Sequence, residues 1–333
     1  MASNTDRARP LPDPAAEELI ERFGRGNLRA LARVITLVEN EAPGYRRLLA
    51  RLYRKTGRAK KIGITGATGA GKSTLVDELT KRLVSKGRSV GIVAVDPTSP
   101  FTGGALLGDR VRMQDVGLLK DVYIRSMASR GSLGGLAQAT REVSIVLDAF
   151  GKDFVLIESV GVGQVALDIA EIVDTTVVVL VPESGDSVQA MKAGLMEIAD
   201  IFVINKADLV GADRLEMELE GHLELQRQRD GWEYPVIKTQ ARSGQGIDEL
   251  LEQIGRQEEY LARTGYLEKK RMDLVRAEVL QLLSETVTRK VQQRLEERGD
   301  LDAAVADILK GRQNPYQVVD QLLEHVEGAE SNG

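Results

Sequence analysis

The sequence predicts an α/β protein: a mainly parallel central sheet with helices on both faces, flanked by an N-terminal helical segment and a C-terminal helical arm. Three observations carry that expectation. Between residues 59 and 255, short β-branched apolar runs (KIGIT, SVGIVAV, VYIRS, FVLIE, TTVVVLV, IFVIN and PVIKT) alternate with helical stretches. On either side of that zone, apolar residues recur at helical spacing instead. With 333 residues, 42% of them hydrophobic and 29% charged, the chain can bury a full core.

In chain order, residues 1–58 form the N-terminal helical extension. Residues 1–12 are expected to be disordered, and Asp13-Pro14 then supplies a cap and a first-turn proline. Helical apolar spacing covers 15–23 and 28–54, separated by Gly24-Arg25-Gly26-Asn27. Residues 59–255 make the sheet domain. In the arm, residues 256–333, Leu280, Leu283, Val287 and Val291 align one apolar stripe on a long helix near 267–298. Asp300 and Asn314-Pro315 start two shorter helices. That stripe needs cover, from its own domain or from a second copy of the chain, and a homodimer is the expectation.

Charge and composition exclude several classes. A net charge of -5 with the two signs interspersed argues against a general nucleic-acid binder. Residues 1–60 lean basic, with 13 Lys/Arg against 7 Asp/Glu, as a solvated helical face does. The absence of cysteine excludes disulfides and thiolate metal sites and fits a reducing compartment. MASNTDRARPLPDP lacks the apolar core of a signal peptide, and no apolar run approaches the roughly 20 residues of a membrane span. The expected location is the cytoplasm, with no membrane partner.

The chemistry begins at Gly66-Ala67-Thr68-Gly69-Ala70-Gly71-Lys72-Ser73-Thr74, which follows the strand KIGIT and opens a helix. This is a phosphate loop in its required context, so the α/β domain is expected to be a P-loop NTPase. Glycines let backbone N–H groups turn toward phosphate oxygens, and the helix N-terminus adds its positive end. Lys72 would reach the outer phosphates, and the Ser73 hydroxyl would ligate magnesium.

Asn205-Lys206-Ala207-Asp208 follows the strand IFVIN and has the N-K-x-D form of a guanine site. A carboxylate at Asp208 can accept from the guanine ring N–H and the exocyclic amine, whereas adenine would leave it unsatisfied. The Lys206 stem would cover the base, and Asn205 would brace the loop. Thr239-Gln240-Ala241, after PVIK, stands where a backbone N–H could meet the guanine carbonyl.

A phosphate loop also needs a second acid, from a neighbouring strand end, to hold the magnesium water shell. In FVLIESVGVGQ at 154–164, Glu158 ends an apolar strand and Gly161 and Gly163 follow. Glu158-Ser159-Val160-Gly161 has a D-x-x-G-like form with glutamate for aspartate. Gly161 would bring backbone close to the terminal phosphate. The dinucleotide alternative lacks its third glycine; the plainer one makes Glu158 a salt-bridged residue at a sheet edge. Asp96, ending SVGIVAV, and Asp109, in GGALLGDR, are either further metal-site acids or ordinary turn residues.

Assembled, these stretches resemble the MeaB-type G proteins, the methylmalonyl-CoA mutase-associated GTPase family that includes the ArgK-like and MMAA types. The match is carried by VDPTSPFTGGALLGDRVRM at 95–113, SRGSLGGLA at 129–137 with TREV after it, IESVGVGQ at 157–164, and PESGDSVQAMKAGLMEIAD at 182–200 leading into NKAD. The resemblance implies a homodimeric, magnesium-dependent GTPase cycling between GTP and GDP. It would serve an adenosylcobalamin-dependent acyl-CoA mutase, gating cofactor loading and protecting or reactivating the mutase. It further implies that Asp96, Asp109 and Glu158 are metal-associated switch acids, and that 182–192, with Asp186 and Lys192, relays nucleotide state to the mutase. Glu183 and Gln240 depart from the family pattern, which bears on partner signalling and on Thr239. No in-chain residue plainly orients the attacking water, and Gln164 is the position to test.

Two other classes compete. A nickel-type metallochaperone GTPase wants clustered His or Cys, whereas this chain has His222 and His325 far apart and no cysteine. A small-molecule or protein kinase linked to amino-acid transport is permitted by the phosphate loop, but N-K-x-D and the glycine loops favour a timer.

Overall fold

The structure, a computed structural model, describes residues 13–96, 114–128, 135–159, 161, 164–182, 194–226, 231–298 and 300–328. Its elements run α1 (Asp13–Gly24), α2 (Leu28–Glu39), α3 (Tyr45–Tyr53), β1 (Lys60–Gly66), α4 (Lys72–Ser85), β2 (Val90–Asp96), α5 (Gln114–Gly117), β3 (Val122–Ala128), α6 (Gly135–Ala149) and β4 (Phe154–Glu158). They continue with α7 (Gln164–Ala170), β5 (Thr175–Leu180), α8 (Leu195–Ile198), β6 (Ile201–Asn205), α9 (Ala212–Gln226), β7 (Val236–Thr239), α10 (Ile247–Thr264), α11 (Tyr266–Arg298), α12 (Asp300–Leu309) and α13 (Pro315–Gly328). The chain divides into two compact units, Met1–Glu268 and Lys269–Gly333.

In the first unit, the seven expected runs form one sheet in the order β3-β2-β4-β1-β5-β6-β7, each adjacent pair parallel. A parallel sheet is covered on both faces, so alternate residues of each strand enter different cores. Ile62, Ile64, Leu156 and Val177 pack with Leu75 and Leu79 of α4 and with Leu250 and Ile254 of α10. On the opposite face, Val93, Val155 and Ile157 meet Leu31 and Ile35 of α2 and Val143 and Leu147 of α6. Val178, Phe202 and Ile204 lie under Leu215 and Leu219 of α9. Each such side chain stabilises the fold by about 1.5–3 kcal/mol.

The helical stretch expected across 28–54 is two helices. Pro43 has no N–H to continue a helix, and Gly44, at φ 92°, opens α3. Asn27 starts α2 by accepting the Ala30 N–H at 3.0 Å. At the other end of the unit, α10 runs unbroken through Gly255, the expected domain boundary, because its inner face remains buried. Ile254 packs in the core, and Gln257 accepts from the Thr175 hydroxyl at 2.7 Å.

Carboxylates fasten the N-terminal edge of the sheet. Asp174, just before β5, accepts the Lys61 N–H at 3.0 Å, and Asp200, just before β6, accepts the Thr176 N–H at 2.7 Å. Asp153 accepts from both the N–H and the hydroxyl of Ser89, each at 2.8 Å. Burial pushes the Asp153 carboxyl up, but the two Ser89 bonds and the Arg88 charge outweigh it, so its pKa is lowered. Its contribution is therefore complete above the ordinary carboxylate range and lost as pH falls through the lowered value.

Buried Asp148 of α6 joins the N-terminal helices to the sheet by accepting the backbone N–H groups of Gly57, Arg58 and Ala59 at 2.7, 3.1 and 3.0 Å.

The second unit is helical. Its long element, α11, has 33 residues. The Asn314 side chain accepts the Gln317 N–H at 3.0 Å and so caps α13. Leu280, Leu283 and Val287 of the expected stripe are 59%, 56% and 50% exposed. Among the described residues, no helix is long and apolar enough to cross a membrane.

Removing the Asp148 carboxylate takes the acceptor from three N–H groups, of which that of Ala59 is buried, so Asp148→Ala is expected to cost about 2–3 kcal/mol. Urea denaturation checks this as a lower midpoint at an unchanged slope.

Candidate nucleotide site

Because every strand pair is parallel, the C-terminal ends of the strands share one edge, the edge at which open α/β sheets bind ligands. The phosphate loop leaves β1 there. Glu158 ends β4, in register with Ile64, and Asn205 ends β6, in register with Thr239 at the end of β7. Four segments far apart in sequence thus converge.

The loop's shape is set by its glycines. Gly66 has φ 143°, and a Cβ there would stand 2.1 Å from the Val179 carbonyl oxygen of β5. Gly71 caps α4 at φ 88°, and a Cβ there would stand 2.4 Å from Asn205 Nδ2. No other residue fits either position. Thr68 and Gly69 are exposed at the tip, Thr74 is exposed on the first turn of α4, and Ala67 and Ala70 are buried. Lys72 is only 5% exposed, and its Nζ donates to the carbonyls of Gly66 and Ala67, each at 2.9 Å. The loop therefore holds its own cation at its mouth.

Beside it, the Ser73 hydroxyl donates to Glu158 Oε1 at 2.6 Å, and Glu158 is 5% exposed. A hydroxyl and a buried carboxylate, both hard oxygen donors beside a phosphate loop, fit a magnesium ion. Asp96 is the last residue of β2, two positions beyond the Ala94–Glu158 register pair. Asp109, Asp186 and Lys192 lie outside the described residues, and Gln164 opens α7.

Asn205 connects the remaining parts. Its Nδ2 donates to the Ala70 carbonyl in the phosphate loop at 2.8 Å. Its Oδ1 accepts from the Thr239 hydroxyl and from the Ala241 N–H, both at 3.1 Å. The Ala241 N–H, expected to face a base, is thus directed at Asn205 in this structure. Lys206 follows at φ 57°, a left-handed conformation costing a lysine about 1 kcal/mol or more. The Ala207 N–H donates to the Thr239 carbonyl at 3.0 Å, which fixes the turn. Lys206 and Asp208 both project into solvent.

The sequence profile of the family described as "Methylmalonyl Co-A mutase-associated GTPase MeaB" matches residues 31–296. The chain belongs to the MeaB family. It is accordingly a GTPase on a P-loop scaffold. A relative from Pyrococcus abyssi is 48% identical to this MeaB-family chain over 94% of the chain and 97% of its own length. The mouse protein named "Methylmalonic aciduria type A homolog, mitochondrial" is 33% identical over 90% of this chain and 77% of its own. Among solved structures, that of an LAO/AO transport system kinase superposes with a TM-score of 0.71 at 26% identity, covering 95% of this chain and 99% of that one.

One part of the MeaB-family site escaped the sequence reading. Thr65, 0% exposed, and Ser159, 1% exposed, approach each other across β1 and β4, with Ser159 Oγ 2.8 Å from Thr65 Oγ1. Both hydroxyls also reach the Gly161 carbonyl, at 3.1 Å from Ser159 and 3.4 Å from Thr65. The signal available was a serine set between Glu158 and Gly161, at a strand end whose partner strand carries a threonine.

Gly71→Ala would push a methyl into Asn205 and strain the backbone. It is expected to weaken GDP affinity about a hundredfold, about 3 kcal/mol, measured by calorimetry on the full chain.

Proposed function

We propose that this MeaB-family GTPase is a magnesium-dependent, homodimeric switch serving an adenosylcobalamin-dependent acyl-CoA mutase in the cytoplasm, where it gates cofactor loading and protects or reactivates the mutase. The hydrolytic part is carried by the Ser73–Glu158 pair at 2.6 Å beside Lys72. The mutase part rests on the family's description, and the exposed Leu280, Leu283 and Val287 support a second copy as their cover.

In this reading, backbone N–H groups of 66–74 grip the α- and β-phosphates and Lys72 turns from its own loop carbonyls toward the outer phosphates. Asp208 accepts from the guanine ring N–H and amine while the Lys206 stem covers the ring. Ser73 and Glu158 would hold magnesium, which when bound neutralises charge on the phosphate oxygens. Asp96 and Asp109 are metal-associated acids on the same reading. Water attacks the terminal phosphorus as the bond to the bridging oxygen breaks, leaving GDP and phosphate. Gly161 meets the terminal phosphate, Gln164 is the position to test for orienting the water, and Asp186 and Lys192 carry the nucleotide state to the mutase.

The name of the 26% identical solved structure favours a second reading, phosphoryl transfer to an acceptor other than water. Terminally labelled GTP separates the two, since hydrolysis releases all label as inorganic phosphate. Co-purification with candidate mutases, run with GDP and with a non-hydrolysable GTP analogue, tests the partner. Nucleotide-dependent retention is expected, and retention of none removes that assignment.

Two substitutions check the site. Asp208→Asn is expected to move preference from guanine to xanthine nucleotides, read by competition binding. Glu158→Ala is expected to lower magnesium-dependent hydrolysis by about two orders of magnitude with the fold intact, read by phosphate release and circular dichroism.

A further inference from the structure

Ser159 is tied to β1 twice. Its N–H donates to the Ile64 carbonyl at 3.0 Å, and its hydroxyl stands 2.8 Å from Thr65 Oγ1. Both hydroxyls are buried, and both point at one acceptor, the Gly161 carbonyl, from 3.1 and 3.4 Å. A hydroxyl has one proton to donate. If Ser159 donates to Thr65, Thr65 can donate to Gly161; if Ser159 donates to Gly161, the carbonyl is again satisfied. Either arrangement leaves that carbonyl with a donor. Gly161 also abuts the phosphate loop, because a Cβ there would stand 3.2 Å from Thr68 Oγ1.

We infer that Ser159 and Thr65 are positioning residues. They act through Gly161 by fixing its backbone against the phosphate loop, so that the site tells a nucleoside triphosphate from a diphosphate. Neither hydroxyl touches the nucleotide in this inference. It rests on the reading that Gly161 meets the terminal phosphate, a group GDP lacks. Thr65 is the residue before the loop's first glycine and Ser159 the residue after the metal-side acid. The pair therefore joins the two segments that a terminal phosphate would bridge.

The test compares Ser159→Ala, Thr65→Val, the double variant and the hydroxyl-retaining Thr65→Ser in the full chain. Affinities for GDP and for a non-hydrolysable GTP analogue are read by fluorescence titration, and folding by thermal melting. Each hydroxyl deletion is expected to weaken the analogue about fivefold while GDP stays within about twofold, the loss of roughly one net hydrogen bond. The double variant is expected to lose more than the product of the singles, because each hydroxyl substitutes for the other. Thr65→Ser should match the wild type. Should Ser159→Ala fail to fold, Thr65→Val against Thr65→Ser carries the same comparison. Parallel loss of both nucleotides, or loss of neither, overturns the inference. Gly161→Pro, which removes the backbone N–H that alanine would keep, separates its failure from that of the underlying reading: if that variant binds the analogue and hydrolyses GTP as the wild type does, the Gly161 N–H has no phosphate role and the inference falls with it.

Discussion

The side-chain amide of Asn205 is the constraint on which the rest of the site depends. One donor and one acceptor, 2% exposed, join the phosphate loop at Ala70 to the β7 end at Thr239 and Ala241. A buried amide makes such bonds at near full strength only when every partner is in place. The loop that would grip phosphates and the turn that would read a base are therefore shaped together. Lys206 pays for this arrangement with its left-handed backbone. Sustained strain of this kind at a strand end marks a segment over-determined by its neighbours.

The sheet makes such a meeting possible. Seven parallel strands bring loops 135 residues apart, such as those of Ala70 and Asn205, to one edge. The carboxylates of Asp153, Asp174 and Asp200 fasten the opposite edge. Fixing and binding are thus assigned to different rims. The N-terminal helices enter the same scheme through Asp148, which bonds to backbone about ninety residues earlier, at Gly57, Arg58 and Ala59.

What could be read from sequence was what spacing alone encodes. The phosphate loop, N-K-x-D and the strand-terminal Glu158 are contiguous patterns whose meaning depends on a preceding strand, and the strands were visible as β-branched runs. Contacts that depend on register were hidden. Thr65 and Ser159 are 94 positions apart, and only the pairing of β1 with β4 brings their hydroxyls together. The same holds for Asp148, an ordinary helical acid until its three N–H partners are known. The break at Pro43-Gly44 was signalled by two residues that disfavour helix, yet the apolar spacing on either side concealed it. The boundary at residue 255 follows the point where strand runs give way to helical spacing alone, whereas α10 continues through Gly255 because Ile254 and Gln257 on its inner face are buried, which outweighs the roughly 1 kcal/mol that a glycine costs a helix.

The two end glycines of the phosphate motif answer to different neighbours. Gly66 is required by the Val179 carbonyl of an adjacent strand, whereas Gly71 is required by the amide of Asn205. Both glycines also stand at positive φ, so changing Asn205 would relieve the close contact at Gly71 and still leave any side chain there on a strained backbone. The two ends of one motif are therefore held from different directions, one by the neighbouring strand and the other by Asn205 at the end of β6.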